Sequence, residues 1–258
     1  ALSSAASDVY KRQVQPPWFA KRWMQGRQPA LANLLGVANG GCFCEHCRRE
    51  AIHMGYDWDL IVRDMRRLHD IANATVLAKQ ELVMENHLLM TGSATEALLL
   101  MEYPGLLEFL KFRTDSVTKL FKEVSELIHA QQPGIDFRYN NFVHVAEHAG
   151  LHFKRIAPYI DSIRDCEYSE HFEAPDHFLF KRQNLLEIRR GIGFDKKVIA
   201  AVAIRPNATP EVLCESLAAL SEVGIDGISL GHYDCAHIEH LDAIGEGLRR
   251  IHADILRA

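Results

Sequence analysis

Apolar positions recur along this chain with two different periods. Between residues 106 and 130, Leu110, Val117, Leu120, Phe121, Val124, Leu127 and Ile128 fall three, four or seven apart, which predicts a long amphipathic helix. A second helix is predicted over 58–72. From about residue 134 the pattern changes, and short β-rich runs at 135–141, 160–168, 197–204 and 227–233 alternate with helical stretches. The run 197–204 is almost wholly apolar, as expected of a strand buried on both faces. Helices are predicted over 145–159, 177–190 and 238–256. Another opens at Thr209-Pro210-Glu211, which supplies an N-cap, a proline at the first helical position and an acid at the positive dipole end. Gly224 stops it.

Strand–helix units at this spacing predict an α/β fold with a parallel sheet. The choice lies between a (β/α)8 barrel of the TIM type and a doubly wound open sheet. The barrel is preferred, because the strands end in polar residues and no glycine-rich phosphate loop follows any of them. The four strands after residue 134 are then the last four of eight. Residues 42–133 form a mostly helical insertion, and 30–37 reads as one earlier strand.

The N-terminus alters this picture. Residues 1–13, with Ser7-Asp8-Val9-Tyr10-Lys11-Arg12-Gln13, look like a translated sequencing adapter and not a signal peptide, since no apolar h-region is present. The chain is therefore expected to be an N-terminally truncated reading frame from environmental DNA. Residues 14–258 would form a partial barrel, inactive on its own.

Composition narrows the function classes. No apolar run approaches the roughly 20 residues of a membrane span. Net charge is −5 with basic and acidic residues interspersed, which argues against nucleic acid as a partner. Of six cysteines, Cys166, Cys214 and Cys235 are isolated and three are clustered. This usage fits reduced thiols plus a metal site, and so favours the cytoplasm, although a missing N-terminus leaves the compartment open. No sequence signal points to an organic cofactor or to an oligomeric state.

The cluster is Cys42-Phe43-Cys44-Glu45-His46-Cys47. A bridge between Cys42 and Cys44 would be strained, and any pairing leaves one thiol over. Three thiols in one turn suit a soft divalent metal, zinc above all, in a structural role. His46, Cys166 and Cys235 are candidate fourth ligands within the chain, and the missing upstream half is the preferred source. Cys214 falls on an apolar helical stripe and reads as core packing.

At Cys42, Cys44 and Cys47 the chain resembles the zinc-carrying β-galactosidases of clan A, whose (β/α)8 domain bears such a cluster after its fourth strand. More loosely, all of 14–258 is similar to bacterial proteins described as glycoside hydrolases. The resemblance implies a carbohydrate substrate, a structural zinc and an upstream cysteine as fourth ligand. It also implies catalytic carboxylates at the ends of strands four and seven, and those do not transfer. Residues 14–41 contain neither Glu nor Asp, and the seventh strand ends Ala203-Ile204-Arg205-Pro206.

Hydrolysis would then rest on Asp165, Glu167 or Glu170 after the sixth strand, with Asp234 after the eighth. Arg138, Asn140, Asn141, Tyr168, Arg205, His232 and Tyr233 are the candidate sugar contacts, chosen because hydroxyl donors, acceptors and aromatic faces are what a sugar ring recognises. Two other readings stand beside hydrolysis. One is a non-catalytic carbohydrate-binding barrel. The other is a metal-dependent sugar isomerase or lyase.

Overall fold

The computed structural model describes residues 41–72, 74, 79–90, 96–141, 149–166, 168, 170, 177–204, 208–231 and 236–255. The chain divides into two compact units. One comprises Ala1–Leu120 with Val145–Leu151, the other Phe121–His144 with His152–Ala258. No helix among the described residues is long and apolar enough to cross a membrane.

The first unit holds helices α1 (Glu45–His53), α2 (Trp58–Ala72), α3 (Gln80–Met90), α4 (Glu96–Glu102) and the first part of α5 (Pro104–Gln131). Along α2, Trp58, Ile61, Met65, Leu68 and Ile71 recur at helical spacing and bury one stripe against Ala51, Leu99, Leu106, Phe109 and Phe112. Asp64 is buried among them. Its carboxylate accepts the Gly105 N–H at 2.7 Å and so compensates the positive end of α5.

The second unit is built on a parallel sheet of β1 (Arg138–Asn141), β2 (Ser162–Asp165), β3 (Lys197–Ala203) and β4 (Gly227–Gly231), in the order β1-β2-β3-β4. All three pairings are parallel, as the alternating strand–helix pattern predicts. Between β1 and β2 lie α6 (Phe153–Ile156) and a 3-10 turn (Ala157–Tyr159). The helix α7 (His177–Ile192) follows β2, α8 (Pro210–Ser221) follows β3, and α9 (Ile238–Ile255) follows β4. The N-cap expected for α8 is present, with Thr209 Oγ1 accepting the Val212 N–H at 3.3 Å. The expected earlier strand at 30–37 lies outside the described residues.

Register sorts the strand residues into two faces. Tyr139 meets the ring of Phe121 from α5 edge-on at 5.4 Å, and Asp165 accepts from Asn184 of α7 at 2.7 Å. These contacts place Tyr139, Asn141, Ile163, Asp165, Val198 and Ala200 on the helix-covered face. Strand alternation then sends Asn140, Arg164, Ile199, Ala201 and Ser229 to the opposite face.

Candidate functional site

The cysteine cluster lies where a loop enters α1, with Cys44 at the N-cap and Cys47 in the first turn. Phe43 fixes that loop: its ring stacks on Phe109 at 5.3 Å and meets Trp58 at 5.9 Å. Gly41 must remain bare, because a Cβ there would come within 2.7 Å of both Phe43 and Phe109. The sulfur atoms of Cys42, Cys44 and Cys47 lie within 4.8 Å of one another, placed to hold a metal ion. Cys44 Sγ and Cys47 Sγ are 3.7 Å apart. Two thiolates bound tetrahedrally at about 2.3 Å from zinc would sit about 3.8 Å apart, so this edge of the site already has the required length.

The cluster is also electrically uneven. The Cys47 backbone N–H, then the Cys42 and Cys47 thiols, bring Cys44 down to about 7. Burial, then the two neighbouring thiols, push Cys47 up to about 12. Of these two, the exposed Cys44 sulfur is the more readily ionised. Among the described residues the ligand group consists of these three cysteines. His46 points outward from α1, Cys166 is buried beside β2, and Cys235 lies outside the described residues.

The candidate carboxylates divide. Asp165 is buried on the helix-covered face, where Asn141 Nδ2 (3.1 Å) and Asn184 Nδ2 (2.7 Å) both donate to Oδ1. Glu170 is also buried. Its Oε1 accepts from Lys181 Nζ of α7 and from Ser216 Oγ of α8 at 2.7 Å, and its Oε2 accepts the Ala203 N–H at 2.9 Å. The reason lies in the sheet. β2 stops at Asp165, opposite Ala200, while β3 runs on to Ala203. The Ala203 N–H would lack a ladder partner, and the Glu170 carboxylate supplies one. Glu170 thereby ties two helices to the C-terminal edge of the sheet. Glu167 and Asp234 lie outside the described residues.

The candidate sugar contacts divide as well. Arg138 opens β1 instead of closing it, so it sits at the N-terminal edge of the sheet. There its guanidinium donates to Ser162 Oγ at 2.9 Å and to Asp136 at 2.6 Å. The expected strand over 135–141 is shorter at its start because Ile135, Asp136 and Phe137 precede the ladder. Asn141 faces the helices beside Asp165. Arg205, His232 and Tyr233 lie outside the described residues.

Asn140 and Tyr168 do come together, around Arg164, a residue the sequence reading passed over. Asn140 and Arg164 are register partners on the face opposite the helices. Arg164 Nη2 donates to Tyr168 Oη at 2.7 Å, and its guanidinium lies 6.0 Å from the Tyr168 ring centroid. Tyr168 rests over Gly231 at the end of β4, where a Cβ would approach its ring to 2.8 Å. A cation and a phenol thus meet on the sheet face that also carries Asn140, near the C-terminal ends of parallel strands. The available signal was alternation: Ile163 reads as core, so Arg164 had to face the other way.

One arrangement elsewhere looks catalytic. Ser125 Oγ lies 3.2 Å from His129 Nδ1, and His129 Nε2 lies 2.9 Å from Asp161 Oδ2. Ser125 is only 7% exposed, however, and Asp161 also accepts the Phe137 N–H at 2.8 Å, just before β1. The relay fastens the end of α5 to the N-terminal edge of the sheet, away from the strand ends where parallel sheets bind ligands. Comparison with protein-family models, curated proteins and solved structures finds no match to this chain.

Proposed function

We propose that the second unit is part of a (β/α)8 barrel and that the protein acts on a carbohydrate. The observation that carries this reading is the sheet. Four parallel strands follow one another in sequence order with no reversal. A doubly wound sheet requires a reversal, whereas right-handed crossovers in unbroken order curl a sheet toward a barrel. The polar face with Asn140, Arg164 and Tyr168 would then line the inside at the functional end.

The reaction we favour is hydrolysis of a glycosidic bond. Asp165 and Glu170 are engaged in buried contacts, which leaves Glu167 and Asp234 as the proposed acid and base or nucleophile. Cys42, Cys44 and Cys47 would hold a structural zinc, since three thiols at this spacing suit that metal and the site lies on a loop pinned by Phe43.

The test is release of reducing ends from an oligosaccharide panel by the purified protein. Glu167→Gln and Asp234→Asn should each lower kcat by roughly 100-fold or more. Unchanged kcat in both would remove the assignment. A second reading, a carbohydrate-binding barrel without catalysis, draws support from β3, whose end at Ala203 and Ile204 carries no carboxylate. Binding of glycans without hydrolysis would select it.

A further inference from the structure

Arg164 makes a more specific statement about the ligand, and it rests on the carbohydrate reading. The guanidinium belongs to the middle of a strand, on the face away from the helices, and it is partly buried. An arginine so placed normally has a carboxylate partner, because removing its charge from water is costly. The buried arginine of this unit's helix α7 is a case in point, since Arg189 pairs with Asp226, and Arg138 at the start of β1 pairs with Asp136. Among the described residues Arg164 pairs with no carboxylate. Its one hydrogen-bond acceptor is the neutral Tyr168 hydroxyl, and Nε is buried without an acceptor.

The surroundings are chosen accordingly. The neighbours on the same face are Asn140, Ile199, Ala201 and Ser229, none of them acidic, although the chain as a whole is net negative. The nearest strand carboxylate, Asp165, turns to the other face, where two side-chain amides hold it. Among the described residues, Arg164 is therefore a part-buried positive charge on this face with no carboxylate beside it, a place for a ligand's counter-ion. The Tyr168 ring beside it offers a flat apolar surface of the kind on which a sugar ring stacks, and the Asn140 amide offers a donor and an acceptor for hydroxyls.

We propose that this site selects an acidic sugar, with Arg164 as the specificity-determining residue. Arg164 would bind an anionic group on the ring, either a uronate carboxylate or a sulfate ester, through its remaining Nη donors. A planar guanidinium matches such oxygens far better than it matches a neutral hydroxyl.

The experiment is titration calorimetry on the purified protein. Three probes of matched length are compared: neutral galacto- and gluco-oligosaccharides, oligogalacturonates and oligoglucuronates, and sulfated galacto-oligosaccharides. An anionic probe should bind more tightly than the neutral one, and its affinity should fall as salt rises. Arg164→Gln should weaken that probe roughly 10- to 100-fold while changing neutral binding little. The uronate and sulfate arms show which anion is meant. If Arg164→Gln fails to fold, Tyr168→Phe keeps the ring and frees Nη2, so it should retain the anionic preference and its salt dependence. Equal affinity for neutral and anionic sugars, insensitive to salt, overturns the inference and leaves the carbohydrate reading intact. No binding to any sugar overturns both.

Discussion

At the scale of single residues, Lys181 and Glu170 show how much one buried pair can hold. The ammonium and the carboxylate are both out of water, and Ser216 and the Ala203 amide complete the group. Taking away one charge strands the other, an effect of roughly 3–5 kcal/mol. Lys181→Met should therefore lower the urea midpoint sharply, whereas the double variant Lys181→Met/Glu170→Gln should recover a good part of the loss. A double variant no better than Lys181→Met alone would mean the pair acts separately. Phe43 works by a different route: it offers no ligand atom itself, yet its ring contacts with Trp58 and Phe109 hold the loop that carries the three candidate ligands. Groups that orient ligands are typically worth 10- to 100-fold in metal affinity. Phe43→Ala is thus expected to weaken cobalt binding, read from the thiolate charge-transfer band in competition with a chelator, by about 10-fold. Cys44→Ser should abolish that band. Retention of full affinity in Phe43→Ala would show that the metal itself organises the loop.

Elements were more legible in the sequence than the orientation of their side chains. The strand around Val198, Ala200 and Val202 announces itself by apolar content, and it forms as β3 over Lys197–Ala203. The helix after Thr209 is equally plain, since cap, proline and acid occur in order. Thr209→Ala should destabilise by about 1 kcal/mol, checked by chemical denaturation, because Val212 loses its acceptor. An unchanged midpoint would mean water replaces the cap without loss. The stretch 160–168 is where the reading fell short. Its acids looked like one constellation, yet only Ser162–Asp165 is strand, and the side chains diverge as soon as it ends. Asp165 turns to Asn184 and Glu170 to Lys181, while Arg164 and Tyr168 share the other side. Period-two alternation gives two faces but not which one the helices cover. That choice depends on contacts such as Phe121 on Tyr139, made by residues far apart in the chain.

At the scale of the whole sheet, the two ends of the strands are held by different chemistry. At the C-terminal ends the fastening is Glu170. At the N-terminal ends it is Arg189, a buried guanidinium on α7 that donates to the Gly193 and Lys196 carbonyls (3.0 and 2.9 Å), to the Gly224 carbonyl and to Asp226 at 2.8 Å. Asp226 in turn accepts the Val198 N–H at 2.7 Å, so the turns leading into β3 and β4 close on one ion pair. Burial would raise the Asp226 carboxyl, but the Arg189 guanidinium and the Val198 N–H outweigh it and hold it below the ordinary carboxylate range. The sign of the pH effect follows. A carboxyl lowered by folding stabilises fully above its unfolded value of about 4, and that contribution fades as pH falls through the lower folded value. Below that value, Arg189 keeps its charge and loses its counter-ion. Asp226→Asn should accordingly be less stable than the parent chain near neutral pH, and the two urea midpoints should converge as pH drops from about 5 to about 2. Midpoints that coincide throughout this range would show that the N-terminal fastening of the sheet is borne by the carbonyl contacts of Arg189 alone, and a constant offset would show that the charge of Asp226 is not what stabilises it.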